Sequence, residues 1–129
     1  VTERAEIAGK LGADAVVVTA PFYPRINPVE VDRHFRAVKA ATGLPVLAYD
    51  VPVSTKLAPG QVVSPAAEGV VDGIKDSSGD DVGFRRLLLG VAGLPGFSAL
   101  TGHEVVVDAM MLAGAHGAVA ALLEEAGLL

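Results

Sequence analysis

Lys75, Tyr49, Tyr23 and His103 are the side chains of this sequence whose types and spacing could do chemistry. They recur about 25 residues apart, each at or just after the end of a short apolar run of strand character. Lys75 follows Gly69-Val70-Val71-Asp72-Gly73-Ile74, read as a buried strand, and precedes Ser77-Ser78-Gly79-Asp80, read as a turn into a helix start. An amine there emerges from low-dielectric surroundings, which favour its uncharged, nucleophilic form. The opposing reading is a solvated strand-end lysine paired with Asp72 or Asp76. Tyr49 closes Pro45-Val46-Leu47-Ala48 at an offset matching that of Lys75, and neighbouring parallel strands lie about 4.8 Å apart. A phenol beside an amine is the pairing that imine chemistry needs: the amine attacks a ketone, and the phenol moves protons during dehydration and carbon–carbon bond making or breaking. Alternation along the strand puts Val71 and Gly73 on the face of Lys75, where small residues leave room for an adduct. Strand-end tyrosines also serve as packing, and His103 also fits a helix start. His34 sits within a helix and reads as surface or packing; His116 precedes its strand and falls on the opposite rim.

Positioning these residues requires a regular scaffold. The pattern predicts helix over 2–11, strand 14–19, helix 28–41, strand 45–50, a weak helical stretch 58–68 interrupted by Pro65, and strand 69–75. Helix 80–89, strand 97–100, helix 103–113, strand 117–121 and an apolar, acidic tail 122–129 complete the chain. Asn27-Pro28-Val29-Glu30 and Thr101-Gly102-His103-Glu104 both read as capping boxes. About five strands alternating with four to five helices mean right-handed βα units and one parallel sheet. The repeat length fits part of a (β/α)8 TIM barrel, whose strand C-terminal ends form the rim where chemistry collects. A doubly wound open sheet is the competing α/β architecture, but no glycine-rich phosphate loop follows any strand.

Composition narrows the function classes. The 129 residues suffice for one domain, and net charge is −5 with no basic patch, which argues against nucleic acid as a partner. Cysteine is absent, so disulfides and thiolate metal sites are excluded. No apolar run reaches about 18 residues and no signal-peptide pattern opens the chain, so a soluble cytoplasmic protein is expected, with no membrane partner. The opening Val1-Thr2-Glu3-Arg4-Ala5 reads as mid-helix, as in a piece of something longer.

Ala20-Pro21-Phe22-Tyr23-Pro24, Leu47-Ala48-Tyr49-Asp50-Val51-Pro52, Gly73-Ile74-Lys75-Asp76-Ser77-Ser78-Gly79-Asp80, Thr101-Gly102-His103-Glu104 and Gly114-Ala115-His116-Gly117-Ala118-Val119-Ala120 together resemble, in order and spacing, the dihydrodipicolinate synthase / N-acetylneuraminate lyase family. The resemblance implies a (β/α)8 barrel, a homotetramer, and a Schiff base between Lys75 and pyruvate or another 2-oxo acid. It assigns proton transfer at the imine to Tyr49 and the second tyrosine of the relay, working across a subunit interface, to Tyr23. Gly102 and Val119 match positions lining the pocket near the 2-oxo acid. No metal or diffusible cofactor is implied, since the covalent imine is the electron sink; the partners implied are a 2-oxo acid and an aldehyde.

The departures from the family pattern are specific. After Tyr49 the synthases read Val-Pro-x-Arg-Thr-Gly, and here Ser54 stands where that arginine would help bind a substrate carboxylate. This favours a lyase or aldolase acting on another, sugar-derived 2-oxo acid; Lys56 is a candidate replacement cation or a solvated side chain. Phe22 replaces a tyrosine common in the synthases. On this reading residues 1–129 form a single incomplete barrel domain, with the family's first three βα units and their carboxylate-binding loop lying before Val1. The alternative function is a truncated, non-catalytic relative serving as an assembly or ligand-binding module.

Overall fold

The computed structural model describes residues 1–22 and 25–120. Its elements alternate: α1 Thr2–Lys10, β1 Val16–Thr19, α2 Pro28–Thr42, β2 Val46–Asp50, α3 Gly60–Ala67, β3 Gly73–Asp76, α4 Asp81–Val91, β4 Ser98–Thr101, a 3-10 turn Glu104–Val106, α5 Val107–Leu112 and β5 Gly117–Ala118. The five strands form one sheet in the order β1-β2-β3-β4-β5, every pair parallel. Sequential parallel neighbours joined by helices are the repeating unit of a (β/α)8 barrel, so the architecture is part of that fold.

Local signals place the elements as expected where they compete with nothing. Asn27 caps α2 through its side chain, Glu30 closes the box on the Asn27 backbone, and Gly43 ends the helix at φ 66°, a conformation glycine adopts without a Cβ penalty. Pro65 lies inside α3, which is only eight residues long. The helices cover one face of the sheet. Val46, Ala48, Ile74 and Ala99 point into that layer and are almost wholly buried against Val31, Phe35 and Val38 of α2, Val62 of α3, Phe84, Leu87 and Leu88 of α4 and Met110 of α5. Val82, apolar in the α4 pattern, instead faces outward.

Three expectations change. Strand 69–75 shrinks to Gly73–Asp76, because the Val70 and Val71 N–H groups donate to the Pro65 carbonyl (2.9 and 3.4 Å) instead of to a neighbouring strand. Gly69, at φ +72°, turns the chain there, and the ladder begins only where Asp72 N–H reaches Val46 O at 2.8 Å. The second capping box does not form: the Thr101 hydroxyl, at the end of β4, accepts the His103 N–H (3.2 Å), and the chain enters α5 through the 3-10 turn. The last strand keeps two residues, Gly117–Ala118, and the tail 122–129 lies outside the described residues.

Gly73 shows how tightly the strands below Lys75 are set. A Cβ there would lie 2.6 Å from the Ser98 carbonyl oxygen and 3.0 Å from Leu47 Cγ. The residue therefore makes room for β4 and Leu47 and does not open space for an adduct; Val71, outside the strand, belongs to the core. Gly73→Ala is expected to destabilise the fold by about 1–3 kcal/mol, since backbone must move to admit the methyl. A lowered denaturant midpoint with unchanged slope is the expected readout, and an unshifted midpoint would contradict the packing described.

Candidate active site

The strand register builds the site. Thr19, Tyr49, Lys75, Leu100 and Gly117 are successive partners across the sheet, forming one row near its C-terminal rim. They point to the face opposite the helices, and the next row, Asp50, Asp76, Thr101 and Ala118, points to the helix side. Tyr49 and Lys75 are thus direct neighbours, and the Lys75 amine lies 4.8 Å from the centroid of the Tyr49 ring. The ring face meets the amine, a geometry that attracts a cation. Lys75 is 7 % exposed, so it is not a solvated strand-end lysine. The carboxylates offered as its partners on that reading are engaged elsewhere. Asp72 binds Lys39 (2.8 Å) and the Val46 N–H (2.8 Å), while Asp76 accepts the Ser78 N–H (2.9 Å) and hydroxyl (2.8 Å).

Backbone hydrogen bonds link the loops after β4 and β5 to the neighbouring strand ends along the rim. Gly102 N–H donates to Asp76 O at 2.7 Å, and a Cβ on Gly102 would displace the Ser77 hydroxyl from its present position. Val119 N–H donates to Thr101 O at 2.9 Å. The side chain of Ser54 is turned inward: the residue is buried and its hydroxyl donates to Val51 O at 2.9 Å, closing its own turn. Tyr23 lies outside the described residues. The loops flanking it are fastened, with the Thr55 hydroxyl donating to Pro21 O (2.5 Å) and accepting from Ile26 N–H (3.4 Å).

Sequence reasoning offered Asp76 only as an ion-pair partner of Lys75 and passed over Asp50, the aspartate that follows Tyr49. Asp50 is 1 % exposed, pairs with the Lys56 ammonium and accepts the Leu57 N–H (3.4 Å). Burial pushes its carboxyl up from the ordinary value, Asp76 adds to the effect, and Lys56 pulls it back. Lys56, a candidate substrate-binding cation in the sequence, is therefore committed to a buried carboxylate. The available signal was an aspartate at the same offset after the reactive residue in two consecutive strands.

The histidines have structural partners. His103 Nδ1 is 3.0 Å from Asp81, linking the β4 loop to the start of α4. His116 Nδ1 accepts the Ala99 N–H (3.0 Å) at the other end of β4. His34 donates from Nε2 to Thr19 O (2.9 Å), tying α2 to β1. Burial holds the His34 imidazole below its ordinary value against the pull of that hydrogen bond. The fold thus favours the neutral ring, a contribution present above about pH 6.5 and lost as the pH falls through the lowered value. Between about pH 7.5 and pH 5 the thermal midpoint of the wild type is expected to fall further than that of His34→Gln, whose amide keeps a donor but does not titrate. Parallel curves for the two proteins would contradict this.

The family model described as the Dihydrodipicolinate synthetase family matches residues 2–128. The chain belongs to this family. It is 31% identical over 126 residues to a 4-hydroxy-tetrahydrodipicolinate synthase of Anaeromyxobacter dehalogenans, covering 96% of this chain and 42% of that protein. Among solved structures, the dihydrodipicolinate synthase of Bacteroides thetaiotaomicron superposes with TM-score 0.83 at 32% identity, over 95% of this chain and 42% of its own. YagE, an E. coli K12 prophage protein of the dihydrodipicolinic acid synthase family solved in complex with pyruvate, superposes with TM-score 0.85 at 28% identity, over 92% and 41%. The chain spans about two-fifths of the length of these relatives. Among its described residues no helix is long and apolar enough to cross a membrane.

Proposed function

We propose that this chain carries the imine-forming centre of an aldolase, lyase or synthase acting on pyruvate or another 2-oxo acid. The observation that carries this reading is the buried Lys75 amine, set on the face of the sheet opposite the described helices and directly across the ladder from Tyr49; the pyruvate complex of YagE supports the substrate class. In the reaction the Lys75 amine, in its neutral form, attacks the 2-oxo carbon, and the former carbonyl oxygen becomes the hydroxyl of a carbinolamine. That hydroxyl lies two bonds beyond Nζ. Tyr49 delivers the proton that lets it leave as water, with Tyr23 as the second member of the relay. The resulting iminium accepts the electron pair of a bond broken at the adjacent carbon, to hydrogen in synthesis or to the aldehyde-derived carbon in cleavage, and becomes an enamine, so the chemistry calls for no diffusible cofactor. Gly102 and Val119 line the pocket from the β4 and β5 loops. Ser54, neutral and bonded within its turn, offers the substrate no charge and is assigned a shaping role; this favours an aldehyde partner other than that of the synthases. Assembly into a homo-oligomer that brings Tyr23 to a neighbour's site belongs to the same proposal, as does action in the cytoplasm.

Borohydride reduction in the presence of pyruvate, followed by peptide mapping, tests the reading. A mass gain on the peptide bearing Lys75 is expected, and a folded protein with no adduct would remove it. A second reading, a non-catalytic assembly module, draws on the apolar surface at the β1 edge. Val17 is 56 % exposed, and a groove of about 400 Å³ runs along α1 and β1, lined by Val1, Arg4, Ala5, Val17 and Phe22. Sedimentation with pyruvate titration separates the two: a defined oligomer that binds no pyruvate favours the module.

A further inference from the structure

The two strands that carry Tyr49 and Lys75 are followed by loops that share one cation. Lys56, in the loop after β2, pairs through Nζ with Asp50, the residue next to Tyr49. The same ammonium reaches across to the loop after β3, at 3.3 Å from the Ser78 hydroxyl and 3.7 Å from Asp80. Both contacts on that side are themselves anchored. Ser78 donates to Asp76, the residue next to Lys75, and Asp80 caps α4 through the Gly83 N–H at 2.9 Å. Thr55, beside Lys56, holds Pro21 and Ile26 of the loop after β1. One ammonium facing two carboxylates is neutralised locally and has no charge left to attract an anionic substrate. Its geometric effect is larger, because Asp50 is buried and loses its counter-charge if Lys56 is removed.

We propose that Lys56 is a positioning residue which, through Asp50, Ser78 and Asp80, locks the rim loops and keeps the Tyr49 ring against the Lys75 amine. Without the cation, the buried Asp50 carboxylate must take a proton or turn toward water. Either change disturbs the peptide that joins it to Tyr49. The consequence for imine formation rests on the function proposed above; the consequence for the Tyr49 environment does not, and the test uses both.

In a Tyr23→Phe background Tyr49 is the single tyrosine of a chain without tryptophan, so tyrosine emission reports on it alone. Lys56→Met is expected to raise acrylamide quenching of that emission by about twofold, as for a ring released to loop-like mobility. Lys56→Arg, whose guanidinium can serve the same carboxylates, is expected to restore the wild-type value. With the native Tyr23, Lys56→Met is expected to slow pyruvate adduct formation on Lys75 by about 10- to 100-fold, the cost of a misplaced partner. Asp50→Asn serves as the second variant: it removes the ion pair and also the buried charge, so it folds where Lys56→Met does not. Quenching unchanged from wild type in a folded Lys56→Met or Asp50→Asn protein overturns the proposal. Absence of any adduct in the wild type would overturn the imine reading instead, and the quenching comparison still decides the role of Lys56.

Discussion

Lys75→Met is expected to abolish borohydride-trapped incorporation of pyruvate altogether. Methionine keeps an unbranched stem of similar length against the Tyr49 ring, so the buried site stays filled while the nucleophilic nitrogen is gone. Lys75→Arg sharpens the result. It retains a cation over the ring, yet the guanidinium holds its proton at every accessible pH and cannot attack a ketone. The remaining lysines cannot substitute. Lys39 is bound to Asp72 and the Leu44 carbonyl, Lys56 to Asp50, and Lys10 ends α1, away from the rim row. Peptide mapping after reduction is the decisive measurement, because adduct on any lysine of the Lys75→Met chain would place the chemistry elsewhere. Loss of adduct with an unchanged denaturation curve would tie the effect to the amine and not to folding.

Tyr49→Phe is expected to slow adduct formation and turnover by about 10²- to 10⁴-fold, the usual contribution of a positioned proton donor or acceptor. Phenylalanine preserves the ring face that meets the Lys75 amine at 4.8 Å, so stability and the placement of Lys75 should change little. What is lost is the hydroxyl that carries a proton to the departing water. The rate at which trapped adduct accumulates separates this role from packing. Equal rates in the two proteins would mean that Tyr49 only supports Lys75. A slow rate reaching the same final amplitude would show that phenylalanine leaves the nucleophile intact and removes the relay.

The rim that holds these groups depends on small conformational facts. The β4 loop passes against Ser77 at Gly102, and Asp50 and Asp76 hold the loops after β2 and β3 from the helix side of the sheet. The buried Asp50 carboxyl, raised by its surroundings, takes up its proton at a higher pH than an ordinary aspartate. The ionised form is the one that binds Lys56, so this contact weakens as the pH falls through that raised value.

The sequence by itself determined the order of elements, the parallel sheet, the family and the pairing of Tyr49 with Lys75. These rest on local or strictly periodic properties: the Asn27–Glu30 box, the glycine after α2, and apolar runs whose equal offsets fix register once strands are parallel. Tertiary structure alone decided where hydrogen-bonding groups go when several partners compete. Val70 and Val71 look like strand but bond to the Pro65 carbonyl, and Thr101 takes up the His103 N–H beside β4 instead of capping a helix. It also decided what small and charged residues are for. Gly73 reads as open space, yet it admits the Ser98 carbonyl and Leu47 from neighbouring strands. Lys56 reads as solvated or substrate-facing until the fold brings Asp50, Ser78 and Asp80 to the same ammonium. Spacing along a chain encodes which residues share a face, but the partner of a buried charge or a missing Cβ is set by segments far away in sequence.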